Sequence, residues 1–458
     1  MVDLEKYSGK KILILGLGRE GAASLRFFLD NRVSAVLGVA DKAAPDKLSS
    51  EIKDILSQNP AIKAHLGEEH LACLDDYDII VKSPGIPIHL APIEKAFDQG
   101  KVTSQTRIFF DYCPGTIIGV TGTKGKSTTS SIIHDVLKKG GKTVTLVGNI
   151  GTPMIKYLDN SGKDDYFVCE LSAHQLYDLK KAPHIAVLLN LYPEHLDYYK
   201  DFSEYIFAKS NITRYQAKSD YLIYNSSNVE VDTIARESAA QKIAFNEYDW
   251  QYAGKTALIG KLNLENAKIG AIIGRLLGIS DNDINAAIAE FKPLDHRLEF
   301  VGNFDGIDFY NDSLSTIQES AVAAIDGFGP KLQTLIAGGF DRHQPFDKLG
   351  AAILSSNIKN LILFPTTGRR IWEETQRQAA GNSERLTQVS PYFVETMEDA
   401  VRLSLVHSDP GHIAALSAAS ASFSGFRDYA DRGNCFRDCL MRQAKLSFRV
   451  AAVDFQAR

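Results

Sequence analysis

Short apolar runs alternate along the chain with longer stretches whose apolar positions recur every three or four residues. The first block opens with KILILG (11–16), a continuous apolar run that predicts a strand buried on both faces. A glycine turn leads from it into AASLRFFLD (22–30), which has helical spacing, and SAVLGVAD (34–41) and YDIIVKSPG (77–85) predict further strands. A second block begins with TIIGV (116–120). STTSSIIHDVLKK (127–139) predicts a helix stopped by Gly140-Gly141. VTLVG, YFVCELS, IAVLLNL and YLIYN supply four more strand candidates. A third block, from about Pro293, offers IDFYNDS, LQTLIAGG, NLILFP and HIAALS. Strands alternating with helices at this spacing predict an α/β fold with mainly parallel sheets. Three domains are expected, 1–114, 115–293 and 294–458, with hinges near Tyr112-Cys113-Pro114-Gly115 and Lys292-Pro293-Leu294. No repeat or low-complexity tract interrupts the pattern.

Composition narrows the function classes. The 458 residues are 44% hydrophobic and 23% charged, which excludes a mainly disordered chain. A net charge of −5 gives no basic surplus for general nucleic-acid binding. The five Cys show no zinc-ligand spacing and read as reduced thiols. The N-terminus starts acidic and carries no secretory signal, and no apolar run reaches the roughly 18 residues of a membrane span. A monomeric cytoplasmic protein is expected.

The strongest chemical signal is Gly122-Thr123-Lys124-Gly125-Lys126-Ser127-Thr128, set between a predicted strand and a predicted helix. Glycines let backbone N–H groups approach phosphate, and the helix presents its positive end to the same anion. Lys126 can neutralise β/γ oxygens, and a hydroxyl of Ser127 or Thr128 can bind Mg²⁺. Val120 stands where a strict Walker spacing has glycine. The second block is therefore expected to bind a nucleoside triphosphate. Glu170 ends the run YFVCE, where a strand would deliver a carboxylate to the phosphate edge. His195 follows another strand, and Lys209, on sequence alone, is an ordinary helix lysine. In the first block Gly16-Leu17-Gly18-Arg19-Glu20-Gly21 matches GxGxxG, with Asp41 about 20 residues beyond. In isolation that turn reads as an NAD-dependent oxidoreductase; the same turn can cradle a UDP pyrophosphate, and the phosphate loop downstream favours UDP.

Taken together, these segments resemble the Mur ligase family, the ATP-dependent amide-forming enzymes of peptidoglycan synthesis. The resemblance rests on Gly122–Thr128, Gly148-Asn149-Ile150-Gly151, Glu170-Leu171-Ser172, Asn190 through Asp197, Ala208-Lys209, Asn263 through Asn266, His296-Arg297 and Asn311-Asp312-Ser313, in family order. Chain length, Ser83-Pro84-Gly85-Ile86, Leu416 through Ser422, Phe426 and Asp431 through Asn434 are most similar to its glutamate-adding branch. The resemblance implies a Rossmann-like first domain for UDP-N-acetylmuramoyl-L-alanine, a central domain for ATP and Mg²⁺, and a Rossmann-like third domain that binds glutamate and closes over the site. It implies that Gly122 through Thr128 hold phosphate, that Ser127 and Glu170 serve a first Mg²⁺, and that His195 and a carbamylated Lys209 serve a second. It places Asn263 and Asn266 near adenine, and Arg297 and Asp312 at ATP from the third domain. Gly18, Arg19, Glu20, Asp41, Ser83 and Asn149 fall to the UDP-sugar, and Thr316, Arg342, Ser422 and Tyr429 to glutamate. Lys126, His195 and Lys209 are the implied catalytic residues.

One position departs from the branch. Leu314 stands where the motif Asn-Asp-Ser-Lys-Ala-Thr has lysine, which removes a positive charge, while Arg342 can still grip a carboxylate bidentately. D-glutamate is the expected substrate, with L-glutamate as the alternative. Folylpolyglutamate synthetases share the loop and also add glutamate, but generally lack a separate UDP-binding domain. A non-enzymatic nucleotide-binding protein is disfavoured because Lys126, Glu170, His195 and Lys209 are all present.

Overall fold

The computed structural model describes residues 3–195, 198–250, 252, 254, 256–379, 383–423 and 425–456; Leu196 and Asp197 of the Asn190–Asp197 motif lie outside the described residues. The chain forms two compact units, Met1–Gly254 with Glu265–Glu290, and Lys255–Leu264 with Phe291–Arg458. The fold is α/β with mainly parallel sheets, as expected.

The first unit holds two sheets. Strands β1 (Lys11–Leu15), β2 (Val36–Asp41), β3 (Lys63–Leu66), β4 (Ile79–Lys82) and β5 (Val102–Thr103) pair in the order β3-β2-β1-β4-β5, all parallel. Ile12 and Ile14 enter one hydrophobic core and Leu13 and Leu15 another, so β1 is apolar at consecutive positions because both of its faces are covered. The order reverses direction between β1 and β4, and in such sheets ligands bind outside the carboxyl ends of the strands at that switch point.

Strands β6 (Thr116–Thr121), β7 (Val144–Gly148), β8 (Tyr166–Glu170), β9 (Ile185–Leu188), β10 (Tyr221–Tyr224) and β11 (Gln241–Ala244) form the second sheet, ordered β11-β10-β9-β6-β8-β7 and parallel throughout. Its switch point lies at β6, which feeds the helix Lys126–Lys139. That helix ends at Gly140, whose N–H caps the Val136 carbonyl, with Lys138 and Lys139 favourably placed in the last turn. The expected division near residue 114 falls inside this unit, where one core serves both sheets; Phe109 and Phe167 meet edge-to-face at 5.2 Å within it.

The second unit carries β12 (Glu299–Phe304), β13 (Ile307–Asn311), β14 (Leu332–Gly338), β15 (Asn360–Phe364), β16 (Ser390–Phe393) and β17 (Ile413–Leu416), ordered β12-β13-β17-β14-β15-β16. Only the β12–β13 pair is antiparallel. Leu335, Leu361 and Ala415 pack into a core on one face, and Ile336, Ile362 and Ala414 into a core on the other. Among the described residues no helix is long and apolar enough to cross a membrane.

Candidate active site

The phosphate loop leaves β6 after Thr121 and reaches the helix at Gly125, which takes a left-handed φ of 90°. At Gly122 a side chain would strike Leu189, its Cβ lying 2.8 Å from the leucine Cβ. The loop is clasped from β9: Asn190 accepts from the Lys124 amide (2.8 Å), its side-chain N–H donates to the Lys124 carbonyl (3.0 Å), and its carbonyl takes the Thr123 amide (2.8 Å). Lys124 pairs with Glu194 at 2.7 Å. Lys126 Nζ donates to the carbonyls of Gly122 (2.9 Å) and Thr123 (3.0 Å).

Two oxygens at this loop suit a hard cation. Thr128 Oγ1 and Glu170 Oε2 are both buried and have no hydrogen-bond partner. Ser127 stands beside Thr128 on the first helical turn, half-buried. The other Glu170 oxygen accepts from Asn149 Nδ2 at 2.8 Å. Asn266 accepts from Thr129 Oγ1 at 3.0 Å, which sets it against the phosphate-loop helix. Asn263 lies three residues earlier on the same helix, Lys261–Leu276, and donates to the Ile259 carbonyl at 2.9 Å.

Lys209 is fully buried. Its Nζ donates to Thr121 Oγ1 (3.1 Å) and the Gly122 carbonyl (2.9 Å) and lies 5.1 Å from the Tyr205 ring centre. Thr121 gives its own hydroxyl hydrogen to the Leu171 carbonyl, leaving its oxygen free to accept. Burial holds the Lys209 amine well below the usual lysine range; nearby Lys126 adds to the shift, and Glu194 and Glu170 oppose it. His195 has a left-handed φ of 58° and an exposed side chain, with its ring 5.2 Å from that of His174.

At the first switch point Gly16 (φ 89°) and Gly21 come so close that a Cβ on Gly21 would lie 1.8 Å from the Gly16 carbonyl oxygen. Asp41 accepts from the Leu17 amide (2.6 Å) and the Ala43 amide (2.8 Å), so it holds the turn itself. Ser83 Oγ donates to the Gly16 carbonyl at 2.9 Å. Beside Gly18 there is open space. Glu20 accepts from Gln175 at 2.9 Å, and burial raises its carboxyl pKa. Arg19 donates to the carbonyls of Gly151 (3.2 Å) and Asn149 (3.3 Å). The six residues expected at the UDP-sugar therefore form one connected group, and Asn149 joins it to Glu170.

The second unit builds a separate polar centre. Asp312 accepts from Ser315 Oγ, from Ser417 Oγ (2.7 Å) and from the Leu298 amide (3.2 Å). Ser313 donates to the Tyr429 carbonyl at 2.8 Å. The guanidinium of Arg342 lies 5.5 Å from the Phe423 ring centre, next to buried Ser422. Gln344 donates to the carbonyls of Thr316 (3.3 Å) and Ala419. Leu314 gives its amide to the His296 carbonyl at 3.0 Å. Sequence reasoning assigned no role to Gln344, Arg370 or Arg432. Arg370 pairs with Asp341 at 2.5 Å and donates to the Gln344 carbonyl at 2.9 Å, bracing the loop that carries Arg342. Arg432, fully buried, donates to the Ser313 carbonyl (2.8 Å) and hydroxyl (2.9 Å) and to the Ser420 carbonyl (3.0 Å). The only hint of it in the sequence was its place in the Asp431–Asn434 motif.

Burial pushes the Asp312 carboxyl up to about 6, with the hydrogen bonds from Ser315 and Ser417 and the charge of Arg297 partly offsetting the shift. The folded chain thus keeps a proton that the unfolded chain releases near its ordinary value of 3.8. Stability is lost as pH rises through that window, by about 3 kcal/mol once above both values. Asp312→Asn is expected to raise the melting temperature at pH 8 by several degrees and to give no gain at pH 3, below the ordinary carboxyl value of 3.8, as read by calorimetry. A gain that is the same at both pH values would contradict the assignment.

Residues 10–103 match the family model described as Mur ligase MurD-like, N-terminal domain, and residues 120–253 match the Mur ligase middle domain. The UDP-N-acetylmuramoylalanine–D-glutamate ligase of Acetivibrio thermocellus is 31% identical, over 95% of this chain and 97% of its own length. This chain belongs to the Mur ligase family. Two further similar Mur ligases, both named UDP-N-acetylmuramoylalanine–D-glutamate ligase, come from Listeria monocytogenes (32% identical, 96% of this chain, 98% of the relative) and Streptococcus uberis (33%, 95% and 97%). The resemblance read from the motifs is borne out, and the oxidoreductase reading of the first glycine turn gives way to it. Mur ligases of solved structure share the fold. The MurC of Thermotoga maritima superposes with a TM-score of 0.57 at 15% identity, covering 95% of this chain and 100% of that one. The MurF of the same organism, solved in complex with ADP, gives 0.56 at 15% identity, covering 96% and 97%.

Proposed function

We propose that this Mur ligase adds D-glutamate to the alanyl carboxylate of UDP-N-acetylmuramoyl-L-alanine at the expense of ATP, in cytoplasmic peptidoglycan precursor synthesis. The observation that carries the reading is the similarity, over nearly the whole length, to relatives that bear that activity in their names. It spans the first sheet as well, which speaks against a folylpolyglutamate-synthetase-like enzyme. In this reading the chain acts as a monomer with three functional domains, 1–114, 115–293 and 294–458.

The carboxylate must first become electrophilic. One of its oxygens attacks the γ-phosphorus, ADP leaves, and an acyl phosphate forms. The glutamate nitrogen then attacks the acyl carbon, a tetrahedral intermediate collapses, inorganic phosphate departs, and the nitrogen loses a proton. Two anions meet in the first step. Lys126 swings from the loop carbonyls to the β/γ oxygens and lowers that repulsion, while loop amides and the helix N-terminus hold the phosphates. Thr128, Ser127 and Glu170 would hold one Mg²⁺, and His195 with a carbamylated Lys209 a second. Magnesium bound there supplies electrostatic neutralisation of the transferring phosphoryl group. Asn263, Asn266, Arg297 and Asp312 serve the nucleotide. Gly18, Arg19, Glu20, Asp41, Ser83 and Asn149 bind the UDP-sugar. Thr316, Arg342, Ser422 and Tyr429 serve glutamate, with Arg342 positioned to take its side-chain carboxylate.

Lys209 supports carbamylation by its own chemistry. A neutral amine has two hydrogens, and two acceptors take them, Thr121 Oγ1 and the Gly122 carbonyl. The amine keeps a lone pair that can attack CO₂, giving a carbamate and releasing one proton.

The test is phosphate release by purified protein with ATP, Mg²⁺ and UDP-N-acetylmuramoyl-L-alanine, with D- and L-glutamate compared. Release with D-glutamate alone is the expected result. Leu314 favours a second reading, because the apolar side chain removes one cation from the glutamate motif. Release with L-glutamate alone would establish that reading in place of the first, and silence with both would overturn the ligase assignment.

A further inference from the structure

The loop Ser83–Ile86 follows β4 and borders the switch point of the first sheet. It packs directly on the glycine turn: a Cβ at Gly16 would lie 2.8 Å from Ile86 Cδ1 and 2.9 Å from Ser83 Cβ. Any shift of this loop therefore shifts the turn. Its carbonyls are gathered by two donors from below. Lys82 Nζ donates to the carbonyls of Ser83 (3.2 Å) and Ile86 (2.9 Å). Tyr198 OH reaches the carbonyls of Pro84 (3.2 Å) and Ile86 (2.9 Å), more than a hundred residues away in the chain. Lys82 is buried, and burial lowers its ammonium pKa to about 8 despite Asp178 and Glu20 nearby.

Tyr198 comes from the other side of the proposed reaction. Its amide donates to the His195 carbonyl at 2.9 Å, and its ring lies 3.9 Å, centre to centre, from that of His174. His174 in turn accepts or donates at Nδ1 to Tyr199 OH at 2.7 Å and stands 5.2 Å from the His195 ring. One residue thus ties the loop at the nucleotide-sugar crevice by its side chain and holds the His195 carbonyl by its backbone amide.

We propose that Tyr198 is a positioning residue of the ligase reaction. Its hydroxyl, together with Lys82, fixes the Ser83–Ile86 loop on the glycine turn, and its main-chain amide holds the His195 carbonyl. The two ends of the UDP-sugar substrate, the nucleotide and the alanyl carboxylate, are thereby kept in register with the phosphate loop. The proposal rests on the reading that the first switch point takes the UDP-sugar.

Tyr198→Phe keeps the ring and removes only the donor. The expected result is a KM for UDP-N-acetylmuramoyl-L-alanine raised by about tenfold, as the loop loses the Tyr198 hydrogen bonds to the half-buried carbonyls of Pro84 and Ile86. KM for ATP and for glutamate should stay within about twofold, and the melting temperature should fall by no more than about 2 °C, the scale of one lost hydrogen bond in a chain of this length. Calorimetric titration of the same UDP-sugar into the variant should show the same loss without any turnover. Lys82→Met carries the identical test if Tyr198→Phe does not yield folded protein. Unchanged KM values would overturn the proposal. A common fall in every parameter together with a lowered melting temperature would also overturn it, because a merely structural tyrosine behaves in that way. If the wild-type protein binds the UDP-sugar but releases no phosphate, the proposed reaction fails, while the titrations still decide the role of Tyr198. If the wild-type protein does not bind the UDP-sugar, both fall.

Discussion

Lys126→Met is expected to lower phosphate release by a factor of about 10³ or more, with little change in melting temperature. The chain without nucleotide loses the hydrogen bonds from Nζ to the Gly122 and Thr123 carbonyls, made by a half-buried side chain that water can partly replace. The reacting complex loses more. Transfer of a phosphoryl group onto a carboxylate brings two anions together in a site that excludes water, and the cation at the β/γ oxygens acts on charge that moves in the transition state. A thousandfold effect corresponds to about 4 kcal/mol, within the range of one well-placed charged donor. Lys126→Arg should recover little, since a guanidinium is planar and too bulky for the narrow turn formed by Gly122 and Gly125. The control is the affinity for UDP-N-acetylmuramoyl-L-alanine, which should be little altered because Lys126 Nζ is held at the phosphate loop, on the carbonyls of Gly122 and Thr123. A fall of less than tenfold in phosphate release would remove Lys126 from the phosphoryl-transfer step.

The sequence made the middles of the sheets legible and left all but one of their edges obscure, the exception being β7. Strands β1, β6, β9, β14 and β17 lie inside sheets, and their unbroken apolar runs follow from burial on both faces. The strands with no such signal, β3, β5, β11, β12 and β16, all lie at sheet edges. Lys63–Leu66 and Gln241–Ala244 each keep two exposed positions, which dilutes the apolar pattern. The phosphate loop was legible for a different reason: its chemistry and its glycines lie within seven consecutive residues. What completes it does not. Asn190 and Glu194 clasp Lys124 from about 70 residues away, and Arg432 holds Ser313 across 119. Lys209 shows the same limit. On the sequence it is one lysine on a helix, and only the fold reveals that it is buried at the end of β6 beside two acceptors. Asp41 is the converse case: the spacing of the glycine fingerprint located it correctly beside the turn, but its two oxygens are already engaged by the backbone amides of Leu17 and Ala43.

Lys209→Ala is expected to abolish turnover, by a factor of about 10³ or more, because it removes both the anion and its geometry from the proposed second magnesium site. The argument begins with charge. An ammonium at this position would be buried near Lys126 and Lys124, in a place where burial already holds the amine well below its usual pKa. A carbamate reverses the sign and offers hard oxygens of the kind magnesium prefers. The burial that disfavours the ammonium favours the neutral amine, the form that attacks CO₂. Protein prepared without CO₂ should therefore turn over slowly and recover on addition of bicarbonate, whereas Lys209→Ala should not respond. Carbon-13 NMR of wild-type protein in labelled bicarbonate should show one carbamate signal that the variant lacks. An added short carboxylate, such as acetate, should restore part of the activity of Lys209→Ala, since it can enter the space vacated by the side chain and return the missing anion. Rescue of the variant by acetate without a carbamate signal in the wild-type protein would separate a requirement for negative charge from carbamylation itself, and would assign that charge to another group at the end of β6.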